Sequence, residues 1–445
     1  MSRVIAIIGG GAAGFFCAAE LKRRCPDADV TIYEAQSRPM AKLAITGGGR
    51  CNLTNTFERI GSLKEAYPRG ERLIRAAFGI FSPERTLEWW ESEGVKTVCQ
   101  ADGCVFPQSQ DAMEVVGRLA RICREEGVKV MCSHRVEAIS KGEKFEIKIK
   151  GRASVFADIV VVTTGGGALS MLDELREIKK ERLAPSLFTL KIGDEGLNAL
   201  MGTVVEDATL SLAGTKFRSR GTLLITDWGV SGPATLKLSS YAAYYLKDND
   251  YKAHLIINYL STDEESVRRE LGQISESQPK KQVANTPVRG ITSRLWSYLL
   301  KRSRIREDIR WAELGSKGLN KLVSTLVSDD YIVDGRCRFK EEFVTAGGVS
   351  SSEVNPQTLE SKHFPGLYFA GEVLDIDAIT GGFNLQAAWS TAFVVAKALQ
   401  NFWHSSELLQ SPVFWGGERG IWPSPSRREK TSGLFRFACV VASPS

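Results

Sequence analysis

Six residues near the start, Gly9-Gly10-Gly11-Ala12-Ala13-Gly14, restrict the fold more than any other stretch. They follow the apolar run VIAII (residues 4–8) and open a helical pattern that runs from Ala12 to about Arg24. A short continuous apolar run is what a strand buried on both faces requires. A G-x-G-x-x-G turn between such a strand and a helix suits a dinucleotide. Its glycines allow a tight turn and close backbone approach, and the unpaired N–H groups of the helix N-terminus accept the pyrophosphate. Residues 30–33 are a second β-rich run, and Glu34 stands at its end, twenty residues after Gly14. A carboxylate there accepts ribose hydroxyls and repels a 2′-phosphate, so FAD or NAD fits better than NADP. The fingerprint alone does not separate those two.

A chain of 445 residues is too long for one core, so two or three domains are expected. Residues 71–98 read as helical, with Trp89 and Trp90 assigned to the core. Residues 111–126 also carry helical spacing, and 128–131, 136–139, 145–149 and 155–156 read as strands. Residues 158–164 (DIVVVTT) form another buried strand that ends in three glycines. Thr164 and Gly165 could admit a dinucleotide there, since small residues leave room; an ordinary turn is the other reading. From about 187 the character changes to short strands punctuated by Gly and Asp, then to polar helical segments. Arg302, Arg304, Arg306 and Arg310 read as a solvated helix face. The nucleotide-type pattern resumes at 366–372 (GLYFAGE), followed by Thr380-Gly381-Gly382-Phe383-Asn384 and a helix from Leu385 to about Asn401. A strand, an acid and a helix N-terminus suit a flavin, whose reduced ring carries negative charge.

The remaining chemistry is sparse. The net charge is +6 with no block of like charges, so nucleic acid is not expected as a partner. Nine cysteines (17, 25, 51, 99, 104, 123, 132, 337 and 439) show no C-x-x-C spacing, and four histidines show no metal spacing. Reduced, buried thiols in a cytoplasmic protein without a metal are expected. No apolar run reaches the ~18 residues of a membrane span. The N-terminal apolar stretch is broken by glycines, which the dinucleotide turn explains better than a signal peptide does.

Five blocks then resemble one family: TGGGRCNLTN (46–55), APSL (184–187), DWGVSGPA (227–234), TAGGVS (345–350) and YFAGEVLDIDAITGGFNLQAAWSTA (368–392). They are similar to the signatures of bacterial NAD(P)/FAD-dependent oxidoreductases, among them aminoacetone oxidase family FAD-binding enzymes and a bile-acid-intermediate reductase. The resemblance implies an α/β fold, with a glutathione-reductase-like FAD-binding Rossmann domain interrupted by an inserted β domain and a helical cap. Residues 1–187 would be the first part of the FAD domain, 188–262 the β domain and 263–330 the helical insert. Residues 331–341 would return through the insert, 342–403 would complete the FAD domain, and 404–445 would be a disordered tail.

The resemblance places Gly9, Gly11 and Gly14, with Ala12 and Ala13, at the pyrophosphate and Glu34 at the adenosine ribose. Val136 would back the adenine, and Glu372 after Gly371 would hold the ribityl chain. Gly382, Phe383 and Asn384 would face the flavin pyrimidine edge. Lys42, Gly48, Arg50 and Asn52 join the cofactor set through the second glycine run, with Arg50 set against a phosphate, the reduced flavin or another domain's acid. The catalytic residues stay unknown, with Arg50, Cys51 and Asp227 as weak candidates, and Cys51 reads mainly as a packing thiol. Asp227 stands where the family commonly has His, and Ala378 and Ala392 replace usual glycines. The expected function is FAD-dependent oxidation or reduction of a small molecule, with NAD(P)H left open as a transient electron donor. A flavin-dependent RNA-modifying enzyme and an FAD-binding redox sensor are the alternatives, and the oligomeric state is open.

Overall fold

Strand Val4–Ile8 occupies the centre of a five-stranded parallel sheet. The order across the sheet is Leu367–Phe369, Ile159–Val162, Val4–Ile8, Asp29–Tyr33 and Lys129–Met131. A computed structural model describes residues 3–167, 169–336 and 344–410, with side chains to residue 403. Ile5, Ile7, Val160, Val161 and Val162 are sealed on both faces, which is why these segments carry no polar alternation. Their C-terminal ends line up: Ile8 pairs with Tyr33 on one side and Val162 on the other. The glycine turn, Glu34 and Thr163 therefore emerge along one edge, the usual place for a ligand on an open parallel sheet.

The helix Ala12–Arg24 packs along the long helix Phe383–Gln410. Phe16 meets Trp89 at 4.5 Å and Trp389 at 5.4 Å between ring centroids, and Trp90 meets Trp389 at 5.4 Å. The tryptophan pair is thus core, Trp90 fully buried and Trp89 partly so; burying a large apolar side chain fully contributes roughly 1.5–3 kcal/mol. The single helix read over 71–98 is instead two, Glu71–Phe78 and Pro83–Ser92, followed by strand Thr97–Cys99. Ser82 starts the second helix by accepting from the Arg85 N–H, with Pro83 at its first position, so a cap signal divides the apolar pattern.

The inserted part is a closed six-stranded barrel. Its order is Leu190–Ile192, Gly229–Ser231, Arg218–Thr226, Val204–Leu212, Lys252–Asn258 and Asp329–Arg336. The expected β segment of 188–262 lacks the sixth strand, and 331–341 is not merely a return: Asp329–Arg336 closes the barrel. Its pattern misleads because the burial alternates with Asp329, Tyr331 and Val333 inside while Ile332 is 66% exposed. Helices Glu264–Ser277, Ser293–Arg302 and Trp311–Val327 come before that strand and bury Trp296, Trp311 and Leu271. Arg302 is not a solvated face residue. Its Nε donates to Asp329 at 2.8 Å and its Nη1 to Asp194 at 3.1 Å.

The chain leaves and re-enters the nucleotide-binding part side by side. Ala184–Ser186 pairs antiparallel with Val344–Ala346. The final helix continues to Gln410, past the expected boundary at 403, because FWHSSELL keeps helical composition. The rest of the expected tail, 411–445, lies outside the described residues.

Candidate functional site

Local sequence explains how the turn is built. Gly9 has φ of +110°, and a β-carbon there would stand 2.7 Å from the Thr163 carbonyl oxygen. A β-carbon on Gly14 would fall 2.1 Å from the Gly9 oxygen, so only glycine lets the helix sit on the turn. Gly11 differs: an added β-carbon would meet nothing within 4 Å, because it faces a cavity. That cavity measures about 790 Å³. The Tyr33–Arg38 stretch, His134, Arg135 and Val136 line one end; Leu187, Val344, Ile379 and Gly382 line the other.

The cavity gathers most of the sequence-derived candidates. Gly9, Gly11, Ala12, Ala13, Glu34, Lys42, Asn52, Val136, Thr164, Gly165, Gly371, Glu372, Gly382 and Asn384 all line it. Glu34 is oriented by two backbone donors at 2.7 Å, Gly10 N–H on Oε2 and Gln36 N–H on Oε1, which leaves lone pairs for further donors. Glu372 accepts from the Thr345 N–H at 2.7 Å. Burial raises its pKa, while the Lys42 ammonium and the Thr345 and Gly166 amides pull it back. Asn384 holds the preceding turn shut, accepting from Ala378 N–H at 2.9 Å and donating to Ala378 O at 3.0 Å. Its side chain is therefore committed within the protein. The helix leaves the N–H groups of its first turn unsatisfied, and Asn384, Leu385 and Ala388 at its start border the cavity.

Six candidates sit elsewhere. Gly14 is used for helix packing, as above. Phe383 is buried in an aromatic cluster, 5.0 Å from Phe57, and the Tyr67 hydroxyl donates to its carbonyl at 2.8 Å. Of the second glycine run only Gly47 lines the cavity; Gly48 faces open space, because consecutive left-handed residues coil the chain outward. Arg50 is exposed and makes no ion pair among the described residues. It stacks over Phe106, with Cζ 4.4 Å from the ring centroid. Asp227 is exposed on the turn between two barrel strands and is not part of the lining. Cys51 is fully buried, and burial pushes its thiol up to about 12 despite a hydrogen bond with Thr46. Burial that disfavours the thiolate suits a packing thiol better than a nucleophile. Cys17, Cys51, Cys104, Cys123 and Cys132 are free thiols.

Sequence reasoning missed Met40, Leu43, Met171, Leu187 and Ala388 on the lining. These are apolar residues from separate segments, and no local pattern distinguishes them from core. The site fits a dinucleotide on the geometry of its own atoms. Gly11 borders open space, and the Thr164 hydroxyl is buried with no partner in the protein. An orphaned buried hydroxyl is costly unless a ligand or water satisfies it.

Sheet order, turn and cavity define a dinucleotide-binding Rossmann protein with a barrel insert. The chain belongs to the family described as HI0933-like protein Rossmann domain, matched over residues 3–398. The 3-dehydro-bile acid delta(4,6)-reductase of Clostridium scindens is 30% identical over 407 residues, covering 88% of this chain and 98% of its own. Ribosomal RNA dihydrouridine synthases of Haemophilus influenzae and Escherichia coli are 26% and 28% identical, each covering 88% of this chain and 97% of their own. A 3-ketosteroid delta1-dehydrogenase structure from Sterolibacterium denitrificans aligns over 90% of this chain with 12% identity and a TM-score of 0.49, a likeness too distant to speak of chemistry. No helix among the described residues is long and apolar enough to cross a membrane.

Proposed function

We propose that the protein is a cytoplasmic FAD-dependent oxidoreductase that saturates a carbon–carbon double bond conjugated to a carbonyl in a small molecule. The observation that carries this reading is the single cavity that unites the Gly9–Gly14 turn, Glu34, Glu372 and the start of the 383–410 helix. The relatives' names add the reaction type. Reducing a dehydro-bile acid diene and making dihydrouridine from uridine both add one hydride and one proton across a conjugated double bond.

Bound FAD supplies the hydride, and NAD(P)H is the proposed external reductant. The protein's part is binding and orientation. The Ala12–Arg24 helix N-terminus takes the pyrophosphate, Glu34 the ribose hydroxyls, and Thr164 a polar atom of the linker. The N-terminus of the final helix offers a positive end to a ring that gains negative charge on reduction. Residues 1–187 and 342–403 carry this site in the proposal, and Leu187 and Val344, where the chain leaves for the barrel and returns from it, border the substrate end.

A second reading, an RNA-reducing enzyme, rests on the two dihydrouridine synthases. The small-molecule reading is preferred because several basic residues of the helical part are spent on acids: Arg302 on Asp329 and Asp194, Arg306 on Asp308, and Lys301 on Glu307. The test is spectroscopic. Purified protein takes up FAD in a one-to-one ratio, and the anaerobically reduced form is reoxidised by a conjugated enone. A colourless protein that does not bind added FAD sinks the proposal. Stable FAD without turnover leaves the redox-sensor reading, and RNA binding that falls steeply with salt favours the second reading.

A further inference from the structure

Arg50 is placed differently from the other cations near the cavity. Arg38 and Arg135 share their end of the lining with Glu34, and the Lys42 charge is set against Glu372. Arg50 has no carboxylate partner among the described residues and does not line the cavity itself. It sits on the rim. Its Nε donates to the carbonyl of Gly47, a lining residue, at 3.2 Å, and its Nη1 reaches Gln110 at 3.4 Å. Phe106, on which it stacks, also packs against Gly47, within 3.2 Å of where a β-carbon would be. A guanidinium has five N–H donors, so most of its capacity is unspent.

The backbone is shaped to hold it there. Gly47, Gly48 and Gly49 have φ of +58°, +70° and +84°, Arg50 returns to −96°, and Cys51 swings back to +61°. Cys51 carries a β-carbon in a left-handed conformation, which such residues rarely adopt and which persists only where the surroundings enforce it. Its buried thiol bonded to Thr46 and its N–H donated to Thr46 O at 2.9 Å are that enforcement. The loop is pinned from below and holds Arg50 exposed, beside the lining residue Gly47.

Resting on the flavin-reductase reading above, we infer that Arg50 is a specificity-determining anchor for a carboxylate on the substrate, not a cofactor ligand. Planar, bidentate pairing of guanidinium with carboxylate is the recognition such a stacked arginine offers. The group that reacts would lie in the cavity while the acid stays at the rim.

The experiment titrates FAD-loaded protein with a steroidal enone carboxylic acid and with its methyl ester, reading the perturbation of bound flavin absorption. Wild type binds the acid more tightly than the ester. Arg50→Gln loses about tenfold or more of acid binding, leaves the ester unchanged and keeps its FAD, while Arg50→Lys recovers part of the preference. A wild type with no preference for the acid, including one that binds neither probe, overturns the inference. So does an Arg50→Gln protein that weakens both probes equally or loses FAD, and so does Arg50-dependent binding of a single-stranded RNA without acid preference. Arg50-dependent acid binding with no turnover keeps the anchor and removes only the reductase reading.

Discussion

The tyrosine–carboxylate network of the barrel and the lining of the cavity treat polar groups in opposite ways. In the barrel the Tyr259 hydroxyl donates to Asp329 at 3.2 Å and meets the Tyr331 hydroxyl at 2.8 Å, which in turn meets Tyr298 at 3.1 Å. Arg302 completes that network with Asp329 and Asp194 and lies 4.2 Å over the Tyr331 ring. At the cavity the Thr164 hydroxyl is orphaned, and Arg38, Arg50 and Arg135 lack ion pairs among the described residues. Polar groups that satisfy one another hold a shape; polar groups left unsatisfied await something from outside. The same contrast separates two glycines three residues apart, one filled by helix packing and one facing empty space.

The largest effect comes from breaking that pair. Gly14→Val places a β-carbon 2.1 Å from the Gly9 oxygen, so the helix must move off the sheet. Soluble yield and cooperative unfolding should be lost, whereas Gly11→Val should unfold like wild type in a thermal scan yet bind no FAD. Equal behaviour of the two variants would erase the distinction between packing glycine and ligand glycine. Next in size, Arg302→Met strands the buried Asp329, a loss of about 3 kcal/mol that chemical denaturation can measure. FAD affinity should stay unchanged while the barrel remains folded; a parallel loss of FAD would show that barrel and cavity are coupled.

A smaller effect is pH-dependent and sits where the two regions meet. Burial pushes the Asp375 carboxyl up to about 6, helped by Asp377 and Glu181 and opposed by Arg69 and the Gly347 N–H; the Tyr244 phenol faces the same group. A raised folded value means the native protein binds the proton more tightly than the unfolded chain does. This group's contribution is therefore most favourable below about pH 4 and declines as pH rises toward about 6. Asp375→Asn should flatten that slope and raise the midpoint of thermal unfolding at pH 7 by a few degrees. An unchanged slope would remove Asp375 as its source. The smallest effect is expected of Cys51→Ser, which should keep FAD and activity within about twofold, since a thiol held protonated packs rather than reacts. Complete loss of turnover with FAD retained would restore the thiol to the chemistry.

Much of the nucleotide-binding part was legible because its signals are local. Strand Val4–Ile8, the turn, the helix and Glu34 lie within one short segment, each tied to a periodicity or a backbone requirement. The second glycine run was misjudged in part, since a run of glycines states only that left-handed backbone is allowed. Where that backbone goes depends on Phe106, from elsewhere in the fold. The sixth barrel strand was hidden because Asp329 is buried by pairing with Arg302, which strand composition does not disclose.

What the sequence alone determined is the existence of a dinucleotide turn, the acid that follows the second strand, and the return of the same chemistry near the C-terminal helix. These follow from short-range rules of backbone geometry and apolar period. Only the tertiary structure decided that Glu34 and Glu372 border one cavity, that Gly11 faces it while Gly14 does not, and that Arg50 stands at its rim rather than inside. Those facts depend on contacts between separate segments, some of them hundreds of residues apart, and side-chain burial, unlike local conformation, is not written in neighbouring residues.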